Sequence, residues 1–357
     1  MKMMNIAIVG TQGVPARYGG FESLVENIIG EHKSPNINYT IFCSKKDLPQ
    51  KINEYKGAKL KYIPLHANGI QSIPYDMLSL LKIPKGTDVI LILGISGSLI
   101  LPFVRLYSKR KIVINIDGLE HRRDKWGKVA KWYLKFSEKI AVKYANTIIA
   151  DNKGIQDYVK EEYGKDSVLI AYGGDHVIRD IDPKLETEVL GRFSLIPNGY
   201  AITVCRIEPE NNCHCILEAF SKTDKKLIFI GNWDHSEYGQ NLKEKYRKFT
   251  NIVIHDPIYD IDILYALKKN AGIYIHGHSA GGTNPSLVEA MFFGCPILCF
   301  DVIYNRATTH NKAYYWKNIE ELVALLKCAN LCGDAMKTIA YKAYTWETIV
   351  SQYEAQY

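Results

Sequence analysis

One stretch of the chain, residues 276–290, reads HGHSAGGTNPSLVEA and decides how the second half folds. The apolar run that ends at His276 predicts a buried strand, and Pro285 suits the first turn of a helix. Between them, Gly281 and Gly282 let the backbone approach a ligand closely. Backbone amides freed at such a turn face an anion at the start of the helix. The stretch therefore predicts a cradle for a diphosphate.

The polar side chains of the same stretch extend this prediction. Thr283 or Asn284 can cap the helix, since short polar side chains accept hydrogen bonds from its first amides. Glu289 stands one turn into the helix and points back along its face. A carboxylate in that place can accept hydrogen bonds from both hydroxyls of a ribose. The alternative is an ordinary surface glutamate.

A cation follows the first predicted strand of this half. The sequence there reads VCRIEPENN over residues 204–212, and Arg206 stands directly after the apolar run. A guanidinium can donate two parallel hydrogen bonds to a diphosphate and can stabilise the charge that develops on a leaving group. Arg206 is therefore the predicted counter-charge to the diphosphate.

Short runs rich in Val and Ile alternate with helical patterns along the chain, which is typical of parallel sheets covered by helices. The predicted strands are residues 5–9, 39–43, 60–63, 89–93, 112–116, 147–150, 168–170, 201–205, 226–230, 252–255, 272–276 and 296–300. A length of 357 residues also argues for two domains. Residues 178–197 show no clear strand and are the predicted linker. Because ligands bind at the carboxyl ends of parallel strands, we expect the substrate in a cleft between the domains.

The first predicted strand opens onto a glycine-rich loop, residues 10–23, which reads GTQGVPARYGGFES. Such a loop before a helix suits a phosphate or a closely approaching sugar. It is not the GxGxxG fingerprint, because Gly10 and Gly13 are three positions apart and no acidic residue ends the second strand. A plain NAD enzyme is therefore disfavoured. Glycines that serve only a tight turn are the alternative.

The order of these motifs resembles the retaining family 4 glycosyltransferases with the GT-B fold, over nearly the whole chain. Residues 10–23, the DGLEH segment at 117–121 and the motifs of the second half are most similar to a bacterial subgroup of polysaccharide rhamnosyltransferases, whose donor is dTDP-L-rhamnose. The resemblance implies an α/β fold of two Rossmann-like, doubly wound domains that face each other across a cleft. The implied domains are an acceptor-binding domain at 1–180, a donor-binding domain at 181–335 and a C-terminal crossover helix at 336–357 that packs on the first domain.

The resemblance also implies roles for single residues. Arg206 would be catalytic and contact the donor diphosphate, while Asp117, Glu120 or His121 would orient the acceptor hydroxyl; spacing alone leaves these three open. Tyr259 offers a stacking surface for the base. The implied donor-binding set is Gly19, Gly20, Arg206, Asn211, Tyr259, His278, Gly281, Gly282, Thr283, Asn284, Ser286 and Glu289.

Three positions depart from the wider family. Asn211 stands where a Lys commonly supplies a second cation to the diphosphate, so Arg206 and the helix dipole would carry that charge. Gly281 stands eight positions before Glu289, where the wider family has a first Glu that touches the donor sugar. A 6-deoxy sugar would need that carboxylate less. Asp117 stands where the first domain often presents a His.

For a retaining enzyme of this fold the resemblance implies front-face substitution, in which the departing diphosphate accepts the proton of the acceptor hydroxyl. Arg206 and a helix dipole can do the electrostatic work that Mg²⁺ does elsewhere, so we predict no metal and no other cofactor. The alternatives are a UDP- or GDP-hexose donor, a GT-B sugar-nucleotide epimerase, and a non-catalytic protein that binds sugar nucleotides.

The net charge of +7 lies in the first half: residues 1–180 carry 27 basic and 18 acidic side chains, and residues 181–357 carry 18 and 20. Residues 122–144 alone hold eight basic and two acidic side chains. Apolar residues repeat at helical spacing on another face of this segment, at Trp126, Val129, Tyr133, Phe136 and Ile140. The segment is either an ordinary surface helix or a helix that docks on an anionic membrane. The predicted membrane and acceptor residues are Lys125, Trp126, Lys128, Lys131 and Lys135.

The expected partners are a nucleotide-diphosphate sugar, a lipid-linked saccharide and an anionic membrane surface. Nucleic acid is disfavoured, because no recognition module accompanies the charge.

The apolar run at the start of the chain is too short for the core of a signal peptide, and no apolar run reaches the roughly 18 residues of a membrane span. We therefore expect a cytoplasmic protein at the inner face of the plasma membrane. The eight cysteines are expected to be reduced, and a zinc site at Cys213-His214-Cys215 is disfavoured because no second ligand pair is suitably spaced.

Overall fold

The computed structural model describes residues 3–16, 19–48, 50–116, 118–123 and 126–357. The chain forms two compact units, Met1–Tyr172 together with Trp346–Tyr357, and Gly173–Thr345. Each unit is built on one sheet whose parallel strands are joined by helices. This confirms the predicted α/β class with two doubly wound sheets.

The sheet of the first unit has eight strands over the described residues. They are β1 (Met4–Val9), β2 (Ile37–Ser44), β3 (Glu54–Tyr55), β4 (Ala58–Ile63), β5 (Val89–Leu93), β6 (Lys111–Asn115), β7 (Thr147–Ala150) and β8 (Val168–Leu169). The order is β3-β4-β2-β1-β5-β6-β7-β8, and all neighbours are parallel except β3 and β4. The helices are α1 (Gly20–Glu31), α2 (Ser72–Leu81), α3 (Leu101–Tyr107), α4 (Lys128–Tyr144) and α5 (Lys153–Tyr163).

The central strands of this sheet are apolar on both faces. The strand β5 reads VILIL, and all five of its side chains are buried. Parallel strands covered by helices on both faces need such continuous apolar runs rather than an alternating pattern. For this reason the centre of the sheet was predictable from composition alone.

The second unit has six parallel strands over its residues, in the order β11-β10-β9-β12-β13-β14. They are β9 (Tyr200–Val204), β10 (Lys226–Ile230), β11 (Ile252–His255), β12 (Ile273–His276), β13 (Ile297–Phe300) and β14 (Tyr314–Trp316). The helices are α6 (Pro183–Arg192), α7 (Cys213–Ser221), α8 (Glu237–Tyr246), α9 (Ile261–Lys269), α10 (Pro285–Met291), α11 (Ile303–Thr308), α12 (Ile319–Lys327) and α13 (Asp334–Ala343).

A last helix, α14 (Trp346–Glu354), belongs to the first unit. Its side chains Trp346, Ile349, Val350 and Tyr353 join the hydrophobic core there. Asn115, at the end of β6, donates from Nδ2 to the Tyr353 hydroxyl at 2.7 Å. The observed boundary lies at 345/346 rather than the expected 335/336, because α13 buries Met336 and Ala340 in the second unit.

The other boundary also differs from the expected one, since it falls at 172/173 rather than 180/181. The predicted linker at 178–197 contains α6. Asp182 caps this helix by accepting from the N–H of Lys184 at 2.8 Å, and Pro183 occupies its first turn. The acidic and proline positions that suggested a linker are thus helix-start residues.

The cysteines of the chain are free thiols. The sulfur atoms of Cys205 and Cys213 come within 4.0 Å of each other, twice the length of a disulfide bond of about 2 Å. Among the described residues, no helix is both long enough and apolar enough to cross a bilayer.

Candidate functional site

The second sheet brings Arg206 and the glycine loop of residues 277–284 to one edge. The strands β9 and β12 are neighbours, and the strand order reverses between them. Arg206 follows β9, and the loop of residues 277–284 follows β12 and leads into α10. In open α/β sheets such a reversal point is where ligands bind. The cation and the glycine loop therefore leave the carboxyl ends of adjacent strands.

Close contacts hold the segment after β9 against the loop after β12. Asn212 donates from Nδ2 to the carbonyl oxygen of Gly277 at 2.8 Å. Ser279 donates its backbone N–H and its hydroxyl to the carbonyl oxygen of Glu210, at 2.9 and 2.8 Å. A Cβ at position 277 would lie 2.1 Å from the carbonyl oxygen of Asn211. Glycine is thus required at 277 by the packing of these two segments.

Asn211 is buried between Arg206 and His278. Its Nδ2 donates to the carbonyl oxygen of Arg206 at 2.7 Å, and its Oδ1 lies 2.6 Å from Nδ1 of His278. Asn305, in α11, donates from Nδ2 to the carbonyl oxygen of His278 at 2.8 Å. Asn211 therefore links the backbone of Arg206 to the ring of His278. Asn305 could not be predicted from the sequence, because it stands outside every motif.

Asn284 is the N-cap of α10, one of the two predicted candidates. Its Oδ1 accepts from the N–H of Ser286 at 3.0 Å and from the Ser286 hydroxyl at 2.7 Å, whereas Thr283 is buried. Gly281 has a φ of +91°, a left-handed conformation that favours glycine. The helix spans only seven residues, so the loop amides and Arg206 matter more than its dipole for binding an anion.

Glu289 is held by a buried lysine. Lys268, in α9, places Nζ 2.7 Å from Oε2 of Glu289, and their side chains are 3% and 20% exposed. His176 Nε2 lies 3.7 Å from Oε1, and burial lowers the pKa of His176 below its ordinary value. The lysine compensates the carboxylate charge and fixes its direction. Neither partner was predicted, since nothing in the dipeptide Lys268-Lys269 marks one lysine as buried.

Arg206 places a positive charge at the ligand edge. Its side chain is nearly half exposed, and NH1 lies 3.5 Å from Oε1 of Glu208. His276, at the end of β12, is buried, and this burial lowers the pKa of His276 well below its ordinary value. His276 is therefore neutral and adds no charge near the loop.

An Asp-x-Asp pair, Asp260 and Asp262, lies in the segment after β11, but both side chains have other partners. Asp260 caps α9 by accepting from the N–H groups of Asp262 and Ile263, and Asp262 accepts from Arg179 at 3.1 Å. Within the described ranges, no cluster of three or more His, Cys, Asp or Glu is placed to hold a metal ion. Tyr259, the predicted base-stacking residue, is 79% exposed beside this pair.

The glycine loop of the first unit binds a carboxylate of its own helix. Glu22, in the first turn of α1, is buried, and its Oε1 accepts from the N–H of Gln12 at 2.8 Å and from the Thr11 hydroxyl at 3.0 Å. Gly19 has a φ of +126°, and a Cβ there would lie 1.9 Å from Oε2 of Glu22. Gly20 begins α1. Because Glu22 already accepts hydrogen bonds from Thr11 and Gln12, fewer donors of this loop remain for an external anion.

The predicted acceptor residues lie near the end of β6. Asp117 falls outside the described residues. Glu120 accepts from Nε1 of Trp126 at 2.9 Å and from NH1 of Arg123 at 2.6 Å. Glu120 therefore has partners inside the first unit, and so does the neighbouring His121.

His121 belongs to a cluster around Glu138, a fully buried carboxylate of α4. Its Nδ1 lies 3.2 Å from Oε2 of Glu138, whose Oε1 accepts from the hydroxyls of Tyr158 and Tyr163 at 2.5 Å. Burial alone would raise the pKa of Glu138, but hydrogen bonds from these three groups outweigh it and lower the pKa. Lys135, predicted to face a membrane, instead donates to Tyr158 within this cluster.

The helix α4 exposes an apolar ridge that differs from the predicted stripe. Val129, Trp132 and Phe136 are 82%, 68% and 44% exposed, and the rings of the last two stack with centroids 5.6 Å apart. Tyr133 turns inward, where its hydroxyl donates to the carbonyl oxygen of Ser96 at 2.7 Å. The buried face of the helix is therefore separate from this ridge. It consists of Ser137, Glu138, Ala141 and Val142.

The predicted membrane and acceptor residues of this region differ in their exposure. Lys125 falls outside the part of the chain that the structure describes. Lys128 is exposed, Lys131 is half-buried, and Trp126 contacts Glu120. Further exposed lysines of α4 are Lys139 and Lys143. The exposed apolar ridge is thus flanked by lysines at both ends of the helix.

Comparison with known proteins finds two family matches, one mainly in each unit. Residues 3–175 match the family described as "Domain of unknown function (DUF1972)", and residues 197–341 match "Glycosyl transferases group 1". An uncharacterized glycosyltransferase of Methanocaldococcus jannaschii is 23% identical over 308 residues, which cover 78% of this chain and 76% of that protein. The chain thus carries a group 1 glycosyltransferase domain and is a homologue of a glycosyltransferase.

Solved structures share the fold over nearly the whole chain. Sucrose-phosphate synthase from Thermosynechococcus elongatus matches with a TM-score of 0.80 at 14% identity, covering 99% of this chain and 98% of that one. Anabaena HepE, solved in complex with UDP, matches with a TM-score of 0.74 at 13% identity, covering 99% of both chains. These likenesses confirm the predicted GT-B fold.

Proposed function

We propose that this chain, whose second unit carries a glycosyl transferases group 1 domain, moves a hexose from a nucleotide-diphosphate sugar to a lipid-linked saccharide. The proposed donor is dTDP-L-rhamnose, and the proposed role is the synthesis of bacterial cell-surface polysaccharide with retention at the anomeric carbon. The donor follows from the similarity of residues 276–290 and the first-unit loop to rhamnosyltransferases.

One observation carries the proposal. The strands β9 and β12 are adjacent, Arg206 comes just after β9, and the loop at 277–284 and then Glu289 come after β12. A half-exposed guanidinium beside a glycine loop supplies the donors that a diphosphate needs. The carboxylate of Glu289, oriented by Lys268, is an acceptor for the hydroxyls of the nucleoside sugar. Together these groups match the phosphate and sugar parts of a nucleotide.

In the proposed step, the bond between the anomeric carbon and the diphosphate oxygen breaks, and the acceptor oxygen bonds to the same face of that carbon. The proton of the acceptor hydroxyl moves to the departing diphosphate. Arg206 and the loop amides stabilise the charge on the leaving group, which lowers the barrier most when that charge is fully developed. We propose that this happens without a metal ion.

A UDP-hexose is the second candidate donor, favoured by the fold likeness to Anabaena HepE, which was solved with UDP-glucose. The sugar of UDP is a ribose with two free hydroxyls, whereas the deoxyribose of dTDP has one. Glu289 can accept from both hydroxyls of a ribose. Gly281 favours the rhamnose donor instead, because it leaves no carboxylate for a 6-hydroxyl.

We also propose that the chain docks on an anionic membrane surface through α4, where a lipid-linked acceptor would be found. The exposed ridge of Val129, Trp132 and Phe136 carries aromatic rings between lysines. Aromatic side chains favour the membrane interface, and each nearby lysine contributes about 1 kcal/mol at an anionic leaflet.

The proposed function is tested by thermal unfolding in the presence of dTDP-L-rhamnose, UDP-glucose, UDP-galactose and GDP-mannose, each with and without EDTA. A bound donor raises the unfolding temperature by mass action, so the true donor should give the largest rise, and EDTA should not reduce it. A rise with UDP-glucose alone would replace the rhamnose donor by the second candidate. No rise with any of the four would contradict the proposal.

A further inference from the structure

Two asparagine side chains hold consecutive carbonyl groups of the loop that follows β12. Asn212, at the start of α7, donates from Nδ2 to the carbonyl oxygen of Gly277 at 2.8 Å. Asn305, in α11, donates from Nδ2 to the carbonyl oxygen of His278, also at 2.8 Å. A carbonyl oxygen only accepts hydrogen bonds, so each contact identifies the nitrogen of the asparagine amide. Since α7 follows β9 and α11 follows β13, the loop is held by elements on both sides of β12.

Asn212 does not play the local role that its position predicts. It is the N-cap of α7, where the oxygen of an asparagine usually accepts from the first amides of the helix. Within residues 126–357, all of which the structure describes, no helix amide donates to the side chain of Asn212. Its φ of +48° is a left-handed conformation, which asparagine and glycine adopt most readily. The amide of Asn212 therefore reaches the glycine loop instead of capping its own helix.

Asn305 joins the glycine loop to the end of the next strand. Its Nδ2 donates to the carbonyl oxygen of His278 and to that of Phe300, the last residue of β13, both at 2.8 Å. The two hydrogens of one amide nitrogen thus serve two chain segments. Asn305 is only 2% exposed, so its loss would remove both hydrogen bonds at a place that bulk water does not reach.

These contacts fix the peptide groups at the start of the loop. A peptide group is planar, so a held carbonyl at 277 or 278 also fixes the N–H of the following residue. The N–H of Ser279 is held as well, since it donates to the carbonyl oxygen of Glu210 at 2.9 Å. In the range 126–357, the backbone N–H groups of residues 280–282 donate to no other protein atom. The path of the chain into 280–282 is therefore set, while these three amides can still donate to a ligand.

We infer that Asn212 and Asn305 are positioning residues for the donor diphosphate, because they hold the glycine loop in its binding form before the ligand arrives. The inference rests on the proposed function, since it requires a nucleoside diphosphate at the loop. Phosphate oxygens are acceptors, which suits the three amides of residues 280–282. A loop that is already held loses less conformational freedom on binding, so its affinity is higher.

The first experiment separates positioning of the loop from a general effect on the fold. Titration calorimetry, well below the unfolding temperature, gives Kd for the nucleoside diphosphate and monophosphate of the donor that ranks first in thermal unfolding. Asn212→Gly removes the amide and suits the left-handed backbone, and Asn305→Ser removes both hydrogen bonds of that side chain. The control is Asn318→Gly, because Asn318 caps α12 of the same unit by accepting from the N–H of Glu321 at 2.9 Å.

We expect Asn212→Gly and Asn305→Ser to weaken diphosphate binding about tenfold and monophosphate binding less than threefold, because the loop serves the diphosphate. Asn318→Gly should leave both Kd values within about twofold of wild type. Equal weakening of both ligands would assign the asparagines to the fold, and wild-type diphosphate binding by Asn212→Gly would show that the loop does not need this amide. Either result overturns the inference, and Asn212→Gly decides it if Asn305→Ser fails to fold. A wild type that binds none of UDP, dTDP and GDP would contradict the proposed function as well.

The second experiment observes the loop without a ligand. We expect ¹⁵N relaxation to give backbone order parameters near 0.85 for Gly281 and Gly282 in the wild type and below about 0.6 in Asn212→Gly and Asn305→Ser. Asn318→Gly should keep the wild-type values. Low order parameters in the free wild type, or unchanged ones in both loop variants, would contradict the role of the two asparagines.

Discussion

Lys268 lies with its Nζ 2.7 Å from Oε2 of Glu289, and this lysine is the more deeply buried partner of the pair. A buried ammonium is stable only with a partner, and Glu289 is the carboxylate that compensates it. Lys268 comes from α9 and Glu289 from α10, so the pair joins two helices of the second unit. Under the proposed function, the exposed part of the carboxylate is the part that a nucleoside would contact.

Replacement of Lys268 by Met should weaken the binding of nucleoside diphosphates about tenfold, because Glu289 loses its fixed direction. The weakening should be larger for a ribonucleotide than for its 2′-deoxy form, since the ribose offers one more hydroxyl to the carboxylate. Calorimetric Kd values for both ligands measure this difference.

The matched control is Lys269→Met. Lys269 is the next residue of the same helix and pairs at the surface with Glu186 at 2.7 Å, so its loss should change both Kd values less than twofold. If Lys268→Met weakened the two ligands equally, the lysine would support the fold of the unit without directing Glu289.

Replacement of Gly277 by Ala should lower the free energy of unfolding by about 1–3 kcal/mol, because the added Cβ would lie 2.1 Å from the carbonyl oxygen of Asn211. It should also weaken nucleotide binding, since it pushes the Arg206 segment away from the loop. Gly191→Ala, in α6 with no atom near the added Cβ, should instead raise the free energy of unfolding by about 0.5–1 kcal/mol. Urea unfolding of both variants measures the contrast, and a Gly277→Ala protein as stable as wild type would contradict the close packing at Gly277.

Stability should fall with rising pH because of Asp76, a carboxyl buried in α2 that accepts from the Ser96 hydroxyl. Burial raises the pKa of Asp76 from 3.8 to about 7. A raised pKa favours the protonated form in the fold, so this contribution is full below about pH 4 and is lost as the pH rises through 7. Asp76→Asn should therefore be more stable than wild type at pH 8.5, by at most about 4 kcal/mol.

Urea unfolding of the first unit at pH 5 and pH 8.5 tests the role of Asp76. The control is Asp166→Asn, an exposed carboxyl whose pKa is lowered by the hydrogen bond from Lys160, so that it stays ionised over this range. It should keep the wild-type pH dependence. An Asp76→Asn protein with the same pH dependence as wild type would show that Asp76 does not titrate there.

The ridge on α4 predicts membrane binding that depends on aromatic residues as well as on charge. Trp132→Ser with Phe136→Ser should reduce cosedimentation with phosphatidylserine vesicles at least fivefold, because both rings are exposed and stacked on each other. Ile196→Ser removes a comparably exposed apolar side chain from the second unit and serves as the control. Equal cosedimentation of the double variant and the wild type would remove α4 as the docking surface.

The sequence allowed the centre of each sheet to be predicted together with one of its two edge strands, β8 or β11, whereas the other edge strand was missed. Each predicted strand is present with its ends shifted by at most two residues. The two missed strands, β3 and β14, are the outermost strands of their sheets. Both missed strands are very short, with two and three residues, so neither is long enough to show a strand pattern. The capped start of α6 was mistaken for a linker for a related reason, since Asp and Pro mark both.

The residues of the candidate site could also be predicted only in part. Arg206 and the loop at 277–284 could be predicted because each directly follows a strand, and Glu289 because it stands at a fixed distance from that loop. Lys268, His176 and Asn305 come from other elements and reach the site only through tertiary packing. The outward face of α4 also depended on packing, because an amphipathic pattern with apolar residues on several faces does not say which one is buried.

The central claim is that the edge formed by Arg206, the glycine loop and Glu289 binds a sugar nucleotide for transfer. The most direct test is the transfer of labelled sugar from the best-binding donor to a bacterial lipid extract, by wild type, Arg206→Ala and the control Arg247→Ala, which removes an exposed arginine of the same unit. We predict lipid-bound label with wild type and Arg247→Ala, and at least a 100-fold loss with Arg206→Ala at an unchanged unfolding temperature. Transfer by Arg206→Ala within threefold of wild type, or no lipid-bound label from any donor with the wild type, would contradict the account.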